Sequence, residues 1–278
     1  MEKHQRTLEE HLLVDEKELE KFQQAAIKAC KIGGVIQLEH FNKLTTGPRL
    51  KFNDDVVTEV DEKAEKAVTD LLLGEFPDHC VLGEEGGNFG KNGSKYRWII
   101  DPLDGTMNYS RGVPYFCISI ALEINKKIVV GAVYKPCGNE LFSASRGRGA
   151  FMNGDRIYVS EMQPMKKCIC VYCTSHHTSL PALEYGKKLV GTFYSKAKTT
   201  RIRGSALDLC YVAAGRFDSA TATCWEYWDW AGASVIVEEA GGIITDLKGD
   251  ALNPDSKEIC ASNGKIHAEV LREIANVK

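Results

Sequence analysis

No run of about 18 consecutive apolar residues occurs in the sequence, so nothing in it reads as a membrane-spanning helix. The N-terminal stretch MEKHQRTLEEHLLVDEKELE is charged and lacks an apolar signal core, which argues against secretion. An excess of positive charge is also missing. Lys plus Arg number 35 against 38 Asp plus Glu, leaving a net charge of −3, so there is no electrostatic ground for a nucleic-acid partner. No low-complexity linker and no internal repeat divides the chain. Its 278 residues suffice for one large domain or two tightly joined ones. Hydrophobic residues at 44% and charged residues at 26% are an ordinary globular balance. These absences leave a soluble, cytoplasmic protein.

Cysteine is plentiful, with ten residues, most standing singly inside apolar runs such as YFCISIAL and LDLCYVAA, as reduced buried thiols do. One group differs: Cys168, Cys170 and Cys173, followed by His176 and His177. It reads as a soft-metal cluster, or as a strand whose small apolar side happens to be cysteine. The second reading is favoured, because Cys168 and Cys170 alternate with Ile169 and Val171 and no distant second half completes a zinc site.

Periodicity predicts an amphipathic helix over 16–33, then an exposed loop, FNKLTTGPRLKFNDD, punctuated by Gly47-Pro48. A helix is expected from Thr58, where Thr58 and Asp61 have capping-box spacing. From Tyr115 the period changes to two, and CISIALEI, IVVGAVYKP and ELFSAS read as an antiparallel meander, with a further hairpin in RGRGAFMNGDRIYVS. The second half mixes strands at 168–173, 217–223 and 242–246 with helices near 183–190, 205–215, 229–241 and 266–277. The fold class expected from this mixture is α/β (α+β), with layered sheets.

The chemistry concentrates in acids. In WIIDPLDGTMNY an apolar strand gives way to Asp101 and Asp104, with Pro102 stiffening the turn between them. Two close carboxylates resist joint ionisation unless cations sit between them, and Mg²⁺ takes such hard oxygen ligands while keeping waters for a phosphate. Gly105 and Thr106 follow with backbone N–H groups at a possible helix start, a ready anion site. Turn chemistry would also account for an Asp-x-x-Asp. Two further acidic segments tip the balance: Gly83-Glu84-Glu85-Gly86-Gly87 at a second strand end, and Asp229 between Trp228 and Trp230 before a helix. No residue is arranged as a covalent nucleophile.

GEEGG (83–87), WIIDPLDGTMNY (98–109) and WDWAGASVIVEEAGG (228–242) closely resemble the inositol monophosphatase family, part of the Mg²⁺-dependent, lithium-sensitive phosphatase superfamily. The similarity runs in order from Leu19 to Ile274 and includes VVTEVD (56–61) and GAFMNG (149–154). The resemblance implies a layered αβαβα sandwich of the sugar phosphatase type. It implies one catalytic domain over 16–278, with an α+β half at 16–160 and an α/β half at 161–278, and a homodimer. The extension 1–15 has no counterpart and is expected to lack order.

It further implies two or three Mg²⁺ ions. Glu84, Asp101 and the Leu103 carbonyl would hold the first, and Asp101, Asp104 and Asp229 the second. A third would involve Glu84 through water, near Asp61. Gly105 and Thr106 would hold the phosphate, Thr106 with Asp61 would orient the attacking water, and Glu84 or the Asp61–Thr106 pair would help to activate it. The capping role of Asp61 stands beside this, and both could coexist.

For substrate, Asp104 and the region of Ser205 and Ala206 resemble the parts that meet inositol hydroxyls. The family's inositol-binding glutamate aligns here with Ala222, and Glu226 could substitute for it. The Lys51 segment is one residue shorter than its counterpart. The implied substrate is therefore inositol 1-phosphate, with fructose 1,6-bisphosphate and histidinol phosphate as competitors. Arg201, Arg203 and Lys198 either meet a second phosphate or form a solvated strand edge. Two non-catalytic readings remain: a Mg²⁺-binding regulatory protein, and a zinc-binding module built on Cys168–His177.

Overall fold

The computed structural model describes residues 14–43, 47–50, 56–174 and 180–277. The Lys51 position, His176, His177 and residues 1–13 of the N-terminal extension lie outside the described residues.

Among the described residues the first element is a long helix, α1 (Glu16–His40), capped by Asp15, whose side chain accepts the Glu18 N–H. A two-stranded ribbon, β1 (Arg49–Leu50) and β2 (Val56–Val57), leads into α2 (Glu59–Glu75). An eight-stranded sheet follows. It contains β3 (Cys80–Gly83), β4 (Gly87–Gly90), β5 (Tyr96–Asp104), β6 (Cys117–Ile124), β7 (Lys127–Lys135), β8 (Glu140–Ser145), β9 (Gly149–Met152) and β10 (Asp155–Arg156), with a short helix, α3 (Thr106–Ser110), between β5 and β6. Its order is β10-β9-β8-β7-β6-β5-β3-β4, antiparallel except where β3 runs parallel to β5. The alternating stretch read as a meander is β6, β7 and β8.

The second half alternates β11 (Ile169–Thr174), α4 (Leu180–Lys196), β12 (Thr199–Ile202), α5 (Ala206–Ala213), β13 (Ser219–Thr223) and α6 (Tyr227–Glu239). It ends with β14 (Ile243–Thr245), β15 (Glu258–Ser262) and α7 (His267–Ala275). Its five strands are ordered β12-β11-β13-β15-β14. β15, which the apolar pattern left unmarked, sits inside this sheet, paired with both β13 and β14.

Apolar faces stack these elements into layers. Leu19, Phe22, Ala26 and Cys30 of α1 and Val68 and Leu72 of α2 pack on one face of the first sheet, against Trp98, Ile118 and Ile120. Helices α5 and α6 fill the space between the two sheets, where Leu209, Val212, Val235 and Ile236 meet Val133, Phe142, Ala220 and Ala261. Leu189 and Phe193 of α4 and Val270 and Ile274 of α7 cover the outer face of the second sheet. The order is helix, sheet, helix, sheet, helix, a mixed α/β sandwich. Helix α6 is apolar almost all round because it is buried between sheets, and it lies unusually close to β7. A Cβ on Gly131 would fall 2.0 Å from the Gly232 carbonyl oxygen, and one on Gly232 would fall 2.5 Å from Ser119 Oγ.

The cysteine ladder is a strand. Cys168 and Cys170 join the outer core, while Val171 and Cys173 face the inner one. All ten cysteines carry free thiols.

Candidate active site

The parallel pairing of β3 and β5 brings the acidic segments together. Gly83 sits opposite Ile100, so both strands leave the sheet on the same side, and the Glu84 N–H donates to the Ile100 carbonyl at 3.2 Å. Strand β5 does not end at its first aspartate. It stays paired with β6, Asp101 opposite Ser119 and Asp104 opposite Cys117, with a register shift between them. Three residues of advance on one strand face two on the other, which is a bulge, and Pro102 tolerates it because no ladder N–H is needed there. The expected turn is thus a paired, bulged strand end. Gly105 follows with φ 87° and ψ 34°, a left-handed conformation that suits glycine, and it opens α3 at Thr106.

Each aspartate of the group gives one oxygen to a backbone N–H. Asp101 Oδ1 accepts from Leu103 N at 3.1 Å, and Asp104 Oδ2 from Ala206 N at 2.5 Å. Asp229 Oδ2 accepts from Glu226 N at 2.7 Å, and Asp61 Oδ2 from Thr58 N at 2.8 Å. The last two bonds belong to capping boxes at the starts of α6 and α2, in which the aspartate is the third helical residue. Asp61 caps its helix and also touches Thr106. Its Oδ2 caps α2, and its Oδ1 lies 3.1 Å from the Thr106 hydroxyl, which also lies 2.8 Å from the Leu103 carbonyl oxygen. One hydroxyl proton is shared between those two acceptors.

Asp104 is held by the start of α5. Ser205, the N-cap, donates its hydroxyl to Asp104 Oδ2 at 2.5 Å, and Cys117 Sγ lies 3.2 Å away. Ser205 and Ala206 are therefore brought to Asp104. Glu226 lies at the N-cap of α6, exposed, and forms an ion pair with Lys257. Ala222 is buried in β13, opposite Cys173 and Ile259. Arg201 is exposed on β12, an edge strand of the second sheet, whereas Arg203 turns back over the ring of Tyr115.

One residue of the site went unnoticed in the sequence. Glu65, buried on α2, accepts the backbone N–H groups of Glu85 at 2.9 Å and Gly86 at 2.6 Å, and so fixes the loop that carries Glu84. The signal was available, since Glu65 lies one helical turn beyond Asp61 and so on the same face.

Electrostatics define the cluster. Desolvation raises Asp101 well above the ordinary carboxylate range, and Glu84, Asp104 and Asp229 raise it further. Asp229 is raised by desolvation, then by Glu84 and Asp104. Desolvation also raises Asp104, opposed by its bonds to Ser205, Cys117 and Ala206. Burial pushes Asp61 up to about 6. The donor set is all hard oxygen, and its members disfavour one another's charge, which is the environment a small divalent cation relieves. Among the described residues no three His, Cys, Asp or Glu side chains are already drawn into a metal cage. Each aspartate keeps one oxygen on a backbone donor, and the chemistry of the donor set fits Mg²⁺.

Comparison with known proteins places this arrangement. The model of the inositol monophosphatase family matches residues 18–278. A relative from Thermotoga maritima named fructose-1,6-bisphosphatase/inositol-1-monophosphatase is 35% identical over 253 residues, covering 91% of this chain and 95% of its own. Another from Vibrio cholerae, named Nus factor SuhB, is 35% identical over 252 residues, covering 90% and 94%. The crystal structure of extragenic suppressor protein suhB from Bartonella henselae superposes with a TM-score of 0.84 at 36% identity, covering 90% of this chain and 95% of that one.

Proposed function

The chain belongs to the inositol monophosphatase family and is a phosphatase, and from that premise we propose that it is a Mg²⁺-dependent phosphomonoesterase acting on inositol 1-phosphate. The observation that carries the metal dependence is the burial of Asp101, Asp104 and Asp229 in one all-oxygen cluster, where Glu84 and Asp104 raise both Asp101 and Asp229. Glu84, Asp101, the Leu103 carbonyl, Asp104 and Asp229 would hold two Mg²⁺ ions, and Glu84 and Asp61 would serve a third. Bound there, Mg²⁺ supplies an activated water and neutralises charge on the phosphoryl oxygens.

The chain's own groups do the rest. Gly105 and Thr106 offer backbone N–H groups to the phosphate at the start of α3. The Asp61–Thr106 contact of 3.1 Å orients the attacking water and accepts its proton at Asp61 Oδ1. Asp61, held near 6, is poised for that transfer close to neutral pH. Asp104, steadied by Ser205 and Ala206, orients the leaving alcohol.

A competing substrate is fructose 1,6-bisphosphate, which appears in the Thermotoga maritima relative's name, and histidinol phosphate is a further one. The buried Ala222 supports weaker discrimination among alcohols, since a lost polar partner for a substrate hydroxyl relaxes selectivity. The name Nus factor on the Vibrio cholerae relative favours a regulatory role as a second reading; the intact acidic set supports turnover over it. The proposal includes a cytoplasmic homodimer sensitive to lithium. Among the described residues no helix is long and apolar enough to cross a membrane.

Phosphate release from inositol 1-phosphate, fructose 1,6-bisphosphate, histidinol phosphate, NADP and adenosine 3′,5′-bisphosphate tests the substrate assignment. The reading expects inositol 1-phosphate to give the highest kcat/KM. A clear preference for another member would replace it.

A further inference from the structure

Beside the acidic cluster, and outside every role given so far, lies Asp208. It is buried at 1% exposure in the first turn of α5, two residues after Ala206. Its Oδ1 accepts the Tyr115 hydroxyl at 2.7 Å and faces Arg203 Nε at 3.6 Å. Its Oδ2 is buried without a hydrogen-bond partner among the described residues. The guanidinium of Arg203 lies over the Tyr115 ring, 3.6 Å from its centroid, and closes the group on its third side. The Ser205 backbone at the head of α5 also favours the charged form of Asp208, yet an apolar residue of similar size would pack there at lower cost. Packing alone therefore does not explain it.

Its position does. Tyr115 belongs to the segment just before β6, and its carbonyl oxygen accepts Asn108 Nδ2 of α3 at 3.0 Å. That same oxygen stands where a Cβ on Gly105 would come within 2.9 Å. The backbone of Tyr115 thus abuts the Gly105–Thr106 turn, while its hydroxyl reaches across to α5. The start of α5 in turn supplies both donors, Ser205 Oγ and Ala206 N, that hold Asp104 Oδ2. A continuous set of contacts runs from the phosphate turn through Tyr115 and Asp208 to α5 and back to Asp104, joining the two halves of the chain across the site.

We infer that Asp208, Tyr115 and Arg203 form a positioning strut that sets the distance between the Gly105–Thr106 turn and the start of α5, and through it the orientation of Asp104. The strut touches neither substrate nor reacting atoms. It acts on how well Asp104 presents its second oxygen to a metal and to the leaving alcohol. The inference rests on the phosphatase reading above, but its consequence for cation affinity is separable from turnover.

The test compares wild type, Tyr115→Phe, Asp208→Asn and the double variant in three measurements: Mg²⁺ binding to substrate-free protein by titration calorimetry, steady-state kinetics, and thermal melting without Mg²⁺. Each single variant is expected to weaken Mg²⁺ binding and lower kcat/KM by about 10- to 100-fold, the usual effect of losing a group that orients a ligand. Asp208→Asn, which removes a buried charge, is expected to melt no lower than wild type. The double variant is expected to be no worse than the worse single, because Tyr115→Phe removes the donor and Asp208→Asn weakens the acceptor of one hydrogen bond.

Mg²⁺ affinity and kcat/KM within about twofold of wild type in both singles would overturn the strut, as would losses that only track a fall in Tm. A wild type that binds Mg²⁺ but hydrolyses no ester would overturn the phosphatase reading instead, leaving the strut to be decided on Mg²⁺ affinity. A wild type that binds no Mg²⁺ would overturn both.

Discussion

Adding one methyl group at Gly131 probes how the fold delivers Asp229 to the site. The new Cβ would stand 2.0 Å from the Gly232 carbonyl oxygen and 2.6 Å from Val235 Cγ1. Non-bonded atoms need about 3.5 Å, so α6 must retreat from β7 by about 1 Å or more. The obstructing atom is backbone and cannot rotate aside. Asp229 lies one turn before Gly232 on the same helix, so it moves with it. Overpacking of this kind costs about 1–3 kcal/mol, and an unyielding backbone contact puts Gly131→Ala at about 3 kcal/mol. In a chain of this size that corresponds to a Tm lower by about 5–10 °C. A displacement of about 1 Å at a reacting geometry costs about 10²-fold in rate, so kcat/KM for inositol 1-phosphate is expected to fall by that order. Gly191→Ala provides the control. A Cβ there meets nothing within 4 Å inside α4, and helix propensity predicts a gain of about 0.5–1 kcal/mol with unchanged kinetics. Differential scanning fluorimetry and a phosphate-release assay on the three proteins decide the matter. A Gly131→Ala protein that melts within about 1 °C of wild type and keeps its activity would refute the argument that close α6–β7 contact positions Asp229.

Asp101→Asn removes a buried carboxyl raised well above the ordinary range, so without Mg²⁺ the variant should melt at or above the wild-type temperature. Wild type should gain about 3 kcal/mol when Mg²⁺ is present at about 100 times its dissociation constant, and the variant should gain much less; a fluorimetric Mg²⁺ titration reads both. Asp61, raised from 3.8 to about 6, binds its proton more tightly folded than unfolded. Its contribution therefore favours folding below about pH 4 and is lost as pH rises towards 6, by about 3 kcal/mol in all. Chemical denaturation of wild type and Asp61→Asn across that window should show the slope in the first and its absence in the second. Glu65→Gln should free the loop that carries Glu84 and raise the Mg²⁺ concentration for half-maximal activity by about 10-fold. An unchanged Mg²⁺ dependence would show that the two N–H bonds of Glu65 do not govern Glu84.

Much of the architecture was legible in the period of the apolar residues. CISIALEI and ELFSAS are β6 and β8 residue for residue, because a strand with its neighbours on both sides has little freedom at its ends. Helix α1, expected to stop at Gly33, runs on to His40. Gly33 and Gly34 are not a terminator there. They let Ile118 and Tyr134 approach within 2.3 Å and 2.5 Å of where their Cβ atoms would be, a tertiary reason invisible in a local pattern. The same limit hid β15, a short buried strand whose identity depends on its two neighbours. At the site, Glu84, Asp101, Asp104 and Asp229 could be picked out because acids at strand and helix ends are conspicuous. Tyr115 and Asp208 could not, since their roles arise only when α5 and the segment before β6 are folded against one another, and Glu65 showed only as a second acid on the helical face of Asp61.

The central claim is that a cluster of carboxylates clamps Mg²⁺ to hydrolyse a phosphate ester. Its most direct test is phosphate release from inositol 1-phosphate by wild type and by Asp101→Asn, each with Mg²⁺ and with EDTA, and with folding checked by circular dichroism. The account predicts release only from wild type with Mg²⁺. Equal release with EDTA, or undiminished release by the folded Asp101→Asn protein, would contradict it.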